Sequence, residues 1–383
     1  MNNSLLLLNF IIAFIFSFFL FGEAYLISVY NIDALNFILI FFLLFSIFSI
    51  NKIKYTSKTN IGFFITSIFL LTISSLFWTS FYNVSSYISI IIAFFAHSFF
   101  RESFKKIFVL IFIFNFFLSF YEYSFTSYLF DSKLVDDFGY GETIIDERFS
   151  GGLMQVFRAK GIFYGPLSLG AFVISFCFIN FRSFTYISMA LLICFFANHR
   201  LGILVLSILM VFNLSQIKKI KLLNIISFFI ASYFIFLLIG ITDNVLITIQ
   251  RISNTFNILS SENTQRVQFW IAAINQFLDY NLLQLIFGDN GYFKIRFGNN
   301  PESGWLSLLV DNGILGFLFY LSSLTYILTK SFKKKSIDIL IVTILIFLCM
   351  MFFTFHLSAI SSFMYWFVIF ELITKLNLNK SKS

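Results

Sequence analysis

Three arginines and one acid stand at the edges of apolar runs in a chain of which only 11% of residues are charged: Arg158, Arg200, Arg266 and Glu302. A guanidinium group is planar, permanently charged and forked, so it grips phosphate-like anions through paired hydrogen bonds. A partly desolvated carboxylate can accept a proton from a reacting group. His199 abuts Arg200, and Tyr164 and Tyr292 sit beside glycine-rich turns where their rings could stack on a sugar. Each residue also has a plainer role. Arginines near helix ends snorkel to headgroup phosphates, tyrosines populate interfacial belts, and Glu302 after Pro301 suits a solvated helix start.

The elements that must hold these residues are spanning helices. Of 383 residues, 59% are hydrophobic and 61 are Phe, and the mean hydropathy is +0.91. Such a chain has too little polar surface to cover a water-soluble globule. An all-α polytopic transmembrane bundle fits, forming one integral membrane domain over 1–383, because a barrel would show alternating ten-residue segments. About twelve apolar runs are long enough to span: 5–22, 34–50, 61–80, 84–100, 107–126, 162–180, 184–198, 200–215, 222–240, 313–329, 337–355 and 357–373. The seventh and eighth are short and read as a hairpin turning at His199-Arg200. Met1-Asn-Asn has no basic flank, so the first span is expected to be a retained helix. Cys177, Cys194 and Cys349 lie unpaired in apolar runs and point to neither disulfides nor zinc.

Charge then sorts the connections. One set, including Arg101, Lys105 and Lys106 between the fourth and fifth runs, carries 17 of the 26 basic residues. By the positive-inside rule that face is cytoplasmic and holds both termini. The long connections 127–161 and 241–312 are then extracytoplasmic. In or beside them fall 13 of 17 glycines and both prolines, Pro166 and Pro301. Asn312-Gly313 breaks the apolar run after Glu302, so 303–311 should be a short helix with the span starting near Gly313. Val267, Trp270, Ile271, Ile274 and Leu278 follow a helical stripe behind Arg266. The acids of 131–147 lack calcium-loop order and read as solvated, and no basic patch with interleaved aromatics argues for nucleic acid.

Four segments on the outward face resemble the bacterial O-antigen ligases and Wzy-type O-antigen or capsule polymerases. That family shows an Arg-Gly-x-Phe-x-Asn-Pro-Asn-like segment, an Arg after a short span, an Arg-x-x-x-Trp helix with a Gly-x-Gly-x-Phe turn, and a His-Asn-x-x-Leu stretch ending in Gly-x-x-Gly. Arg158, Gly161, Phe163, Pro166 and Gly170 match the first in order and Arg200 the second; Arg266, Trp270, Gly288, Gly291 and Phe293 match the third loosely, and Leu306, Gly313 and Gly316 the fourth. Two departures stand out. Asn-Pro-Asn is Gly165-Pro166-Leu167, and the ligase-like His is Glu302, which leans the likeness towards a polymerase.

The resemblance implies a GT-C-like bundle in the bacterial inner membrane and inverting glycosyl transfer without metal or cofactor. It implies an undecaprenyl-diphosphate-linked oligosaccharide as donor, with a chain-length regulator as candidate partner. Arg158, Arg200 and Arg266, with His199, Tyr164 and Tyr292, would bind substrate in one outward cavity. Glu302 would be the catalytic base, standing several ångströms from those cations. Alternatives are an O-antigen ligase with lipid A-core as acceptor, and a polysaccharide-lipid flippase or other transporter. The topology is checked by labelling: a cysteine at Ser261 should react with a membrane-impermeant thiol reagent in intact cells.

Overall fold

The structure, a computed structural model, describes residues 3–21, 57–78, 84–129, 157–163, 165–216, 261–352 and 359–378. Among them lie twelve helices: α1 (Asn3–Phe21), α2 (Lys58–Ser75), α3 (Val84–Phe125), α4 (Pro166–Ile179), α5 (Phe184–Phe196), α6 (Arg200–Gln216), α7 (Ser261–Leu278), α8 (Leu282–Phe287), α9 (Tyr292–Phe297), α10 (Gly304–Lys333), α11 (Ile337–Phe352) and α12 (Ala359–Leu378). The fold is all-α. Three helices, α2, α3 from Ile88 and α10, are long and apolar enough to cross a membrane. They mark a multi-pass membrane protein. The expected spans 34–50 and 222–240, most of the connection 127–161 and Tyr164 fall outside the described residues. The chain forms two compact units, Met1–Ile111 with Thr264–Ser383, and Phe112–Asn263.

Where two spans are expected, α3 covers 42 residues as two helices that meet at a kink at Phe100 (φ −126°, ψ 16°), the last residue of the fourth expected run. The stretch Arg101-Glu-Ser-Phe-Lys-Lys, without Gly or Pro, is already helical beyond the kink, so the expected connection shrinks to that one residue. Beyond it, Leu110, Phe114, Phe117 and Tyr121 lie exposed at helical spacing, an apolar stripe suited to lipid. On the other side Phe104, Phe108 and Phe112 are buried. Phe108 packs edge-on against Phe367 of α12, and Phe112 stacks on Phe176 of α4 at 4.3 Å.

Glu371 of α12 is fully buried and takes up the cations of α3. Arg101 donates to it from Nε at 2.6 Å and Nη2 at 2.9 Å, Lys105 approaches at 2.8 Å, and His97 lies 3.3 Å away. Positions 97, 101 and 105 share one helix face, so a single carboxylate gathers three groups across the irregular Phe100. Hydrogen bonds from Asn60 to Thr374 and between Thr59 and Tyr326, with a Lys334 contact to the Leu376 carbonyl, bring the start of α2 and the ends of α10 and α12 to the same end of this unit.

The break after Glu302 falls at Gly313, where φ is 62° and ψ −169°. Residues 304–312 are a short helix, and 314–333 continue for 20 residues, about 30 Å, enough for a hydrocarbon core. Two Asp-Asn-Gly turns, 289–291 and 311–313, interlock here. The Asp289 N–H donates to the Val310 carbonyl at 3.0 Å, and the Gly291 N–H donates to Asp311 Oδ1 at 3.1 Å. A Cβ on Gly288 (φ 75°) would lie 2.4 Å from the Asn312 nitrogen, and one on Gly313 2.4 Å from the Ile286 carbonyl oxygen. The two backbones touch because neither residue has a side chain.

Helix α7 forms as expected, yet its stripe is turned outward. Ile271, Ile274 and Leu278 are exposed, while Ala273 packs with Phe293 and Val310. Gly313→Ala should destabilise the protein by at least about 2 kcal/mol, combining strain and clash. Gly298→Ala, also at positive φ but with open space around it, should cost about 1 kcal/mol. Thermal unfolding of both variants in detergent checks the contrast.

Candidate functional site

Residues 157–163 cross one unit as an extended strap between helices. Phe157 and Ala159 join a core with Tyr123 and Phe196. The strap's backbone is caught on both sides. The Ala159 N–H donates to the Phe196 carbonyl at 3.0 Å. Opposite, Glu122 Oε2 accepts from the Lys160 and Gly161 N–H groups at 2.9 Å each, and Asn115 Oδ1 accepts from Ile162 at 3.0 Å. Gly161 (φ 62°) is obligatory, since a Cβ would lie 2.1 Å from Asn115 Oδ1.

Two buried cations result. The Arg158 Nε donates to the Ala197 carbonyl at 3.1 Å in the α5–α6 turn, and the Lys160 ammonium sits 4.2 Å from the centre of the Tyr128 ring. Arg158 is 7% exposed and Lys160 1%. A guanidinium and an ammonium group in a poorly hydrated setting each suit a phosphate-like anion.

His199 occupies the same turn. Its Nδ1 accepts the Gly202 N–H at 2.9 Å, which caps the start of α6 as a short polar side chain would. Gly170 and Gly202 make its niche, because a Cβ on either would lie within 3 Å of the imidazole. Burial, and next to it the Arg158 charge, push its pKa from 6.5 down to about 3. The ring is neutral. Arg200 begins α6 half-buried beside it, so Arg158, His199 and Arg200 share one unit.

Arg266 and Glu302 belong to the other unit, and there they meet. The Arg266 Nε donates to Glu302 Oε2 at 2.9 Å, and Asn299 Nδ2 donates to Oε1 at 3.3 Å. The two side chains are 33% and 36% exposed. Glu302 itself is held at φ 54°, a left-handed geometry that costs a non-glycine residue about 1 kcal/mol or more. The acid is therefore neither a freely solvated helix start nor a base set apart from the cations. It is ion-paired because Arg266, one turn into α7, faces the loop 298–303. Tyr292 begins α9 in the same unit, half-buried, its N–H bonded to the Asp289 carbonyl at 3.1 Å. Arg296 of α9 also contacts Gln276 of α7.

Sequence reasoning missed Asn115, Glu122 and Lys160. Lys160 lies inside the quoted Arg158–Gly170 segment, and a carboxylate within an apolar span, as Glu122 is, marks a buried partner by itself. Among the described residues no cluster of three or more His, Cys, Asp or Glu could hold a metal. No protein family, characterised protein or solved structure matches this chain.

The His199 cap makes a pH prediction. Its depressed folded-state pKa means that stability is intact above 6.5 and falls as pH drops towards 3, because the unfolded chain takes up the proton first. By pH 5 the loss should be about 2 kcal/mol. His199→Asn keeps a capping acceptor but cannot titrate, so its unfolding midpoint should fall less than that of the wild type between pH 7 and pH 5.

Proposed function

We propose that the chain is a membrane glycosyltransferase, an O-antigen or capsular polysaccharide polymerase. It transfers glycan from undecaprenyl diphosphate to a sugar hydroxyl of a lipid-linked repeat on the outer face of the bacterial inner membrane. The observation that carries this reading is the Arg266–Glu302 pair, an anion-binding group and a proton acceptor in direct contact at 2.9 Å. The donor diphosphate, with more negative charge than one carboxylate, competes for the Arg266 guanidinium and frees Glu302. The acceptor oxygen then attacks the anomeric carbon, the carbon–oxygen bond to the diphosphate breaks, and undecaprenyl diphosphate leaves with the electron pair. The hydroxyl proton passes to Glu302, and Arg266 stabilises the charge growing on the leaving group.

The residue at the ligase-like His position is Glu302, and that departure favours a polymerase over a ligase. Arg158, Arg200 and His199 would bind lipid-linked substrate, and Tyr164 and Tyr292 would stack on sugars.

Purified protein with synthetic lipid-linked repeats tests the reading. Glu302→Gln should lower turnover by about 10²- to 10⁴-fold while binding undecaprenyl diphosphate at least as tightly, since the competitor for Arg266 is gone. Glu302→Asp should be intermediate. A deletion strain should keep single-repeat lipopolysaccharide or capsule, where loss of a flippase would leave none. Near-normal polymerisation by Glu302→Gln would remove Glu302 from the mechanism.

A further inference from the structure

The proposed reaction leaves the Glu371 cluster unused. One carboxylate, fully buried, faces Arg101 and Lys105 at hydrogen-bond distance and Lys375, one turn further along α12, at 3.9 Å. Glu102 reaches Arg101 and Lys105 only at 3.6 Å and is 73% exposed, so water screens most of its charge. Three cations therefore gather round one buried carboxylate. Each keeps part of its surface outward: the Arg101, Lys105 and Lys375 side chains are 25%, 25% and 29% exposed, and the Glu371 side chain not at all.

An apolar surface adjoins these cations. Lys106 is exposed next to Lys105, and Leu110, one turn on and on the same helix face, begins the lipid-facing stripe of α3. A ligand that suits both features carries a phosphate anion and a hydrocarbon chain. We propose that Arg101, Lys105 and Lys375 bind the headgroup phosphate of an anionic phospholipid, whose acyl chains lie along α3. This site is independent of the glycosyltransferase reading. Glu371 sets it up by holding three mutually repelling cations together, which no cluster of surface lysines would do unaided.

The test uses the full chain, purified in neutral detergent and exchanged with lipid, with retained molecules counted by native mass spectrometry. Wild type should keep phosphatidylglycerol over phosphatidylcholine, and excess inorganic phosphate should not displace it. A basic group near an anionic lipid surface is worth roughly 1 kcal/mol, about fivefold. Lys105→Gln with Lys375→Gln should thus weaken phosphatidylglycerol retention about 25-fold, while Arg101 keeps its two bonds to Glu371 and holds α3 to α12. Glu102→Gln touches no buried group and should raise retention, a change that a purely structural role for the cluster would not produce. Equal retention of the two lipids, binding of inorganic phosphate alone, or a double variant and a Glu102→Gln that both behave as wild type would overturn the proposal.

Discussion

A backbone N–H that leaves its helix inside an apolar protein has no water to bond, and in the described segments 157–163, 289–291 and 198–202 side chains replace that water. Glu122 takes two such groups from the 157–163 strap and Asn115 takes a third. Asp311 takes the Gly291 N–H, and His199 the Gly202 N–H at the head of α6. A typical hydrogen bond contributes about 0.5 to 1.5 kcal/mol net, and a buried donor left without one costs about 1 to 3 kcal/mol. The positions of Arg158 and Lys160 are consequences of this. Both cations are where they are because the strap that carries them is held at its backbone.

Much of the helix pattern was legible. The described helices α1, α2, α4, α5, α6, α11 and α12 lie on apolar runs read from hydropathy, and Asn312-Gly313 announced the break in α10. The break after the fourth run is present as the kink at Phe100, but Arg101 to Lys106 are helical, because Glu371, 270 residues from Arg101, supplies their cations with a partner. The direction of the α7 stripe was not legible. Hydrophobic periodicity finds a helix, but around a bilayer it does not say which side is inside, and α7 turns Ala273 to its neighbours.

The candidate site was legible in residue type and less so in grouping. Arg266 and Glu302 are 36 residues apart and meet directly, so the separation expected of a base from its cations is absent. Glu122 and Glu371 show why the rest was hidden. Both are single acids within long helices, and by composition they are equivalent. One serves backbone donors of a strap 38 residues on, the other side-chain cations on another helix. A lone charge in an apolar run states that a partner exists without saying which.

The Arg266–Glu302 contact also settles how this surface looks from afar. Two opposite charges 2.9 Å apart cancel well within the roughly 8 Å over which charge is felt in physiological salt. A soluble anion diffusing past would gain no acceleration from Arg266, because steering depends on unbalanced field. Only a ligand already delivered to within a few ångströms experiences the two charges separately. Capture of the proposed donor at this pair would therefore be a short-range exchange of partners, suited to a molecule that arrives by lateral diffusion in the membrane and indifferent to ionic strength until it is almost in place.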